Sequence, residues 1–112
     1  MIEQFKLISN YDNYMVSNFG SVWNSKTNEI LKMHMNKHNY IFVYLYNNQS
    51  KRTIKFIHHL VLQEFINISD HKPFIHHIDG NFMNNHLTNL QFTDVEIKTI
   101  CIKPLESFNI SF

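Results

Sequence analysis

Apolar and polar positions alternate in short runs through the first half of the chain, and the period changes once, after residue 55. Residues 15–18 (MVSN) and 21–24 (SVWN) are rich in strand formers and are separated by a turn signal at Phe19 and Gly20. A polar break, SKTN, then leads into EILKM at residues 29–33. The densest run of β-branched and aromatic residues is YIFVYLY at residues 40–46, and NNQS followed by KRTIKF reads as its hairpin partner. Beyond it Ile57, Leu60, Val61, Glu64 and Phe65 recur at helical spacing, predicting an amphipathic helix from 56 to 66. NISDHKP is a loop, FIHHI a short strand running into an Asp79-Gly80 turn, and LQF at residues 90–92 a second apolar piece that can pair with it as an antiparallel ribbon. Thr93 with Glu96 has the form of a capping box, predicting a helix whose inner face carries Ile97, Ile100 and Cys101 and which Pro104 ends.

At 112 residues and 44% hydrophobic content the chain is long enough and apolar enough for one compact core with two lobes. Ala is absent while Asn, Ile, Lys, Phe and Tyr abound, a skew that an AT-rich coding sequence produces whatever the function, so Asn richness alone argues little. The formal charge of +1 gives no global electrostatic case for nucleic acid, and any basic footprint has to be local. Lys51, Arg52 and Lys55 form the local cluster, open to two readings: charges guarding an edge strand, or contacts to phosphates. The single Cys101 excludes an internal disulfide, and no basic segment followed by a long apolar run opens the chain. The expectation is a soluble intracellular protein, neither secreted nor bound to a membrane.

The chemistry concentrates in FIHHIDGNFMNNHLTNLQF, residues 74–92. Neighbours on a strand point to opposite faces, so His76 and His77 can serve one site only if the strand ends or bends, and the Asp79-Gly80 turn supplies a bend. One imidazole can then hold a divalent ion while the next takes a proton from water, with a loop Asn fixing the ring. An isolated His-His pair is more often incidental, and an Asn run is ordinary loop chemistry. The surroundings carry the reading further.

This stretch resembles the HNH endonuclease signature of phage and viral homing-type enzymes, through residues 77–81 (HIDGN), Asn84 with Asn85, and Asn89 with Leu90. IHHLVLQEFI, residues 57–66, is similar to the family's preceding helix, with His58 on the family His and His59 where Arg is usual. Residues 4–24 resemble the NUMOD4 motif through Tyr14, Val16, Ser17, Asn18 and Gly20. The resemblance implies an α+β fold: a small antiparallel NUMOD4-like β region over residues 1–55, then a ββα-metal nuclease unit over residues 56–112. It also implies roles. His77 matches the general base, His76 the metal-ligand position before it, and Asn89 the central Asn that steadies the loop. The implied cofactor is one magnesium or manganese ion, the implied partner is DNA, and cleavage of both strands at one such site calls for a homodimer.

One departure stands out. The family carries a third ligand, Asn or His, on the closing helix, where this sequence has Ile97 or Lys98; Ile cannot ligate a metal and a protonated Lys does not. Asp94 is the expected substitute, with Glu96 beside it, although both also suit the first turn of a helix simply as favourable charges. Asn85, with Lys51, Arg52 and Lys55, is expected to contact DNA, and His58 to be structural, outside the catalytic ribbon. The expected function is metal-dependent hydrolysis of DNA; the alternative is a DNA-binding module in which catalysis has decayed.

Overall fold

A computed structural model describes residues 1–66 and 74–93, which form three antiparallel sheets around one helix. The first sheet has strands β1 (Phe5–Leu7), β2 (Tyr14–Ser17), β3 (Val22–Asn24) and β4 (Glu29–Ile30), paired in chain order. β1 lies on β2 with Phe5 opposite Ser17 and Leu7 opposite Met15, and β3 returns with Trp23 opposite Met15. The second sheet has β5 (His34–Met35), β6 (Ile41–Tyr46) and β7 (Arg52–Phe56), the last two forming the long hairpin read from the sequence. The third is a ribbon of β8 (Phe74–His77) and β9 (Leu90–Thr93), with His76 opposite Gln91 and His77 opposite Leu90. Thr93 is thus the end of β9, and the helix expected after it lies outside the described residues, as does the NISDHKP loop.

The helix, α1 (Ile57–Phe65), follows β7 directly, one residue shorter at each end than its periodicity predicts. Its buried surface is wider than the predicted stripe: Leu62 and His58 are buried along with Ile57, Leu60 and Val61. The reason is position, because α1 touches strands of all three sheets. The core assembles Ile8, Tyr14, Val16, Val22, Val43 and Leu45 from the first half with Ile57, Leu60, Val61, Leu62 and Leu90 from the second, so one apolar interior spans residue 55. Glu64, expected on the inner face, instead sits at the rim and accepts hydrogen bonds from the Ser9 backbone N–H (2.9 Å) and hydroxyl (3.3 Å).

The abundant Asn residues build the turns. Asn10, Asn28 and Asn39 adopt left-handed φ angles of 73°, 60° and 70°, which Asn tolerates better than other side chains with a Cβ. Asn36 Oδ1 accepts from the backbone of His38 (2.9 Å) and Tyr40 (3.0 Å), and Asn47 Oδ1 from Gln49 (2.9 Å) and Lys51 (3.0 Å). Such local bonds close the hairpins without Gly or Pro, both of which are scarce. No helix among the described residues is long and apolar enough to cross a membrane.

Candidate active site

The ribbon ends at His77, and the chain turns at once: Gly80 N–H donates to His77 O (2.8 Å), and Gly80 takes a φ of +77°. Asp79 then acts as the hub of the following loop. Its carboxylate accepts from Asn81 N–H (2.8 Å), Asn84 Nδ2 (2.8 Å) and Asn89 Nδ2 (2.9 Å). Burial raises the Asp79 pKa, but these bonds and nearby His77 outweigh it, so the group is held below its ordinary value and stays ionised. Asn89 is only 8% exposed and fully engaged. Its Oδ1 accepts from Asp79 N–H (2.9 Å), its Nδ2 also donates to Asn84 O (2.9 Å), and its backbone carbonyl accepts from Ile78 N–H (2.8 Å).

His77 lies inside this frame, 2% exposed. Its Nε2 is 2.8 Å from Asn85 Oδ1. A carboxamide oxygen can only accept, so this contact requires the proton on Nε2 and leaves Nδ1 as the basic nitrogen. Around the ring stand His58 (centroids 5.2 Å apart), Phe82 (5.4 Å) and Tyr40 (6.3 Å), with Phe82 stacked on Tyr40 at 4.7 Å. Burial pushes the His77 pKa below its ordinary value, against the Asn85 hydrogen bond and the Asp79 charge, with His76 adding to the fall. The imidazole is therefore neutral near pH 7, the protonation state a base requires.

His76 is the next-to-last residue of β8, half-buried, one position before the chain turns at His77. Its Nδ1 is buried and has no hydrogen-bond partner among the described residues. Among the described residues no three His, Cys, Asp or Glu side chains gather as a ligand set, and Asp94, Glu96, Ile97 and Lys98 fall outside those residues.

Two expectations shift. Asn85 does not line the surface: it is 6% exposed and its carboxamide oxygen is 2.8 Å from His77 Nε2. His58 is not remote from the ribbon, since its ring packs edge-on against His77, and its buried Nδ1 has no hydrogen-bond partner among the described residues. Burial, then His59 and His77, lowers the His58 pKa from 6.5 to about 3, so it stays neutral. The basic cluster also divides. Arg52 is exposed with its guanidinium 4.3 Å from the Tyr44 ring centroid, whereas Lys55, an odd number of residues along β7, projects from the opposite face. Lys51 is exposed in the hairpin loop before β7. Sequence reasoning passed over Tyr40 and Phe82; the available signal was their aromatic character beside a histidine-bearing turn.

Residues 3–46 match the NUMOD4 motif. An uncharacterized HNH endonuclease of Acanthamoeba polyphaga mimivirus is 38% identical over 94 residues, covering 84% of this chain and 28% of that protein. The H-N-H endonuclease F-TflII of Escherichia phage T5 is 32% identical over 91 residues, covering 80% of this chain and 47% of the phage protein. Among solved structures, the HNH homing endonuclease I-HmuI, described for DNA binding and cleavage, superposes with a TM-score of 0.72 at 33% identity over 78% of this chain and 50% of its own. The chain thus spans about half or less of the length of these relatives.

Proposed function

Because the chain belongs to the HNH homing-type endonucleases that carry a NUMOD4 motif, we propose that it hydrolyses DNA phosphodiester bonds with His77 as general base. The observation that supports this most is the state of the His77 ring: neutral, oriented by Asn85 through Nε2, and so with Nδ1 as the nitrogen that takes a proton from the attacking water. Asn89 and Asp79 act at one remove, holding the turn from which His77 projects.

A divalent ion, magnesium or manganese, is the cofactor proposed for His76, whose buried Nδ1 has no hydrogen-bond partner among the described residues. When bound, such an ion supplies charge stabilisation to the scissile phosphate and the leaving oxygen. Asp94 is the proposed second ligand in place of the family's helix residue, a carboxylate being a good oxygen donor for either ion. The ribbon β8–β9 with a closing helix is accordingly proposed as a ββα-metal unit.

DNA is the proposed partner, with Lys51 and Arg52 on the outer side of the hairpin as its phosphate contacts and Lys55 on the other face. A second reading, a DNA-binding module without catalysis, draws on one observation: His77 is nearly closed off from solvent by Tyr40, His58 and Phe82. Single-turnover nicking of plasmid with manganese separates the two. Wild-type cleavage that His77→Ala reduces by about 10² to 10⁴ supports the nuclease, and DNA binding by a folded wild type without any cleavage supports the module.

A further inference from the structure

We propose that the turn at residues 17–21 is a positioning element for His77, acting through Asn85, with Phe19 and Gly20 as its working residues. The proposal rests on the reading of His77 as the base. Three contacts carry it, and they run in register: residues 18, 19 and 20 meet residues 87, 86 and 85 in antiparallel order. Leu87 N–H donates to Asn18 O at 2.8 Å. The Phe19 ring stacks on the His86 ring with centroids 4.6 Å apart and planes 26° from parallel. Gly20 lies so close to Asn85 that a Cβ built on it would stand 3.2 Å from both the Cβ and the carbonyl oxygen of Asn85.

The turn is rigid enough to serve as a template. Ser17 Oγ accepts from Phe19 N–H (3.1 Å) and Ser21 N–H (3.0 Å), and Gly20 N–H donates to Ser17 O (3.0 Å). Asn18 pins it to the preceding segment, accepting at Oδ1 from Gln4 N–H (2.8 Å) and donating from Nδ2 to Ile2 O (3.2 Å). Gly20 needs its φ of +94°, which side-chain-bearing residues rarely adopt, and the missing Cβ admits Asn85. Phe19 is 37% exposed, so core burial does not account for a large aromatic there, whereas its stack on His86 does.

On the far side, Asn85 Oδ1 is 2.8 Å from His77 Nε2. The Asp79 hub fixes the loop as far as Asn84, and the turn fixes it from residue 85 to 87. The carboxamide that orients His77 sits where these two supports meet. Displacing residue 85 therefore rotates or releases the His77 ring, and a shift of about 1 Å in a reacting group costs on the order of 10²-fold in rate.

The test uses the full chain, ¹⁵N-labelled, with imidazole ¹⁵N resonances observed by NMR and plasmid nicking measured in parallel. In Phe19→Ala the proposal expects the His77 ring nitrogens to shift and kcat to fall about tenfold, with KM for DNA within about twofold, and Phe19→Tyr to restore both. Gly20→Ala is expected to lose about 10²-fold in kcat. Unchanged His77 resonances and unchanged kcat in folded Phe19→Ala would overturn the proposal, whatever Gly20→Ala does to folding. If the wild type does not nick DNA, the nuclease reading fails by itself, and the His77 resonances alone decide whether the turn orients the ring.

Discussion

At the scale of single residues, one amide does what the surrounding aromatic rings cannot. Tyr40, Phe82 and His58 bury His77 and hold it neutral, but only the Asn85 carboxamide selects which nitrogen carries the proton. Asn85→Ala removes that partner and leaves Nε2 buried. The expected outcome is a stability loss of about 1–3 kcal/mol in denaturant titration together with a drop in nicking rate, and an unaltered rate would detach Asn85 from the chemistry. His58 makes a different prediction. Its folded pKa of about 3 lies below the unfolded value of 6.5, so the unfolded chain binds the proton first as pH falls. Its contribution is complete above pH 6.5 and is lost between there and about pH 3, by up to about 1.4 kcal/mol per pH unit. Melting temperatures measured from pH 7 to pH 4 should fall steeply for the wild type and less steeply for His58→Phe; parallel curves would contradict the assignment.

Among the elements, the hairpin β6–β7 shows why a cluster in sequence is not a patch in space. Lys51, Arg52 and Lys55 read as one basic group, yet the two-residue pleat sends Arg52 and Lys55 to opposite faces. Salt titrations of DNA binding should therefore separate them: Arg52→Ala lowers the log–log slope by about one unit, and Lys55→Ala leaves it nearly unchanged. Equal losses would mean that DNA reaches both faces. The same pleat logic marks what the sequence could reveal. Strands with four or more alternating or β-branched residues, the helix, and the ribbon partners FIHHI and LQF were legible from periodicity and turn residues. β1 and β5 were not, being short, without a dense β-branched or aromatic run, and held by pairing with β2 and β6. At the candidate site, the turn that joins His77, Asp79 and Asn89 was legible because it is local. The contact of Asn85 with the turn at residues 17–21 went unread, because it joins segments more than sixty residues apart through a missing Cβ.

For the described residues as a whole, those before and after residue 55 share one apolar interior with α1 as its centre. Leu60, 2% exposed, contributes to that interior, and Leu60→Ala should cost about 2–5 kcal/mol. Hydrogen exchange in this variant should weaken protection in β2 and in β9 together; loss confined to one of them would indicate two separately folding units. The shared core gives the NUMOD4 half a physical part in the site, since β2 and the turn after it are anchored by Val16 and Ser17 within that interior. The measurement that bears most directly on the account is conversion of supercoiled plasmid to nicked or linear DNA with magnesium or manganese, for the wild type, for His77→Ala, and with EDTA. The account predicts cleavage by the wild type that both controls abolish; undiminished cleavage by folded His77→Ala, or none by a wild type that binds DNA, would contradict it.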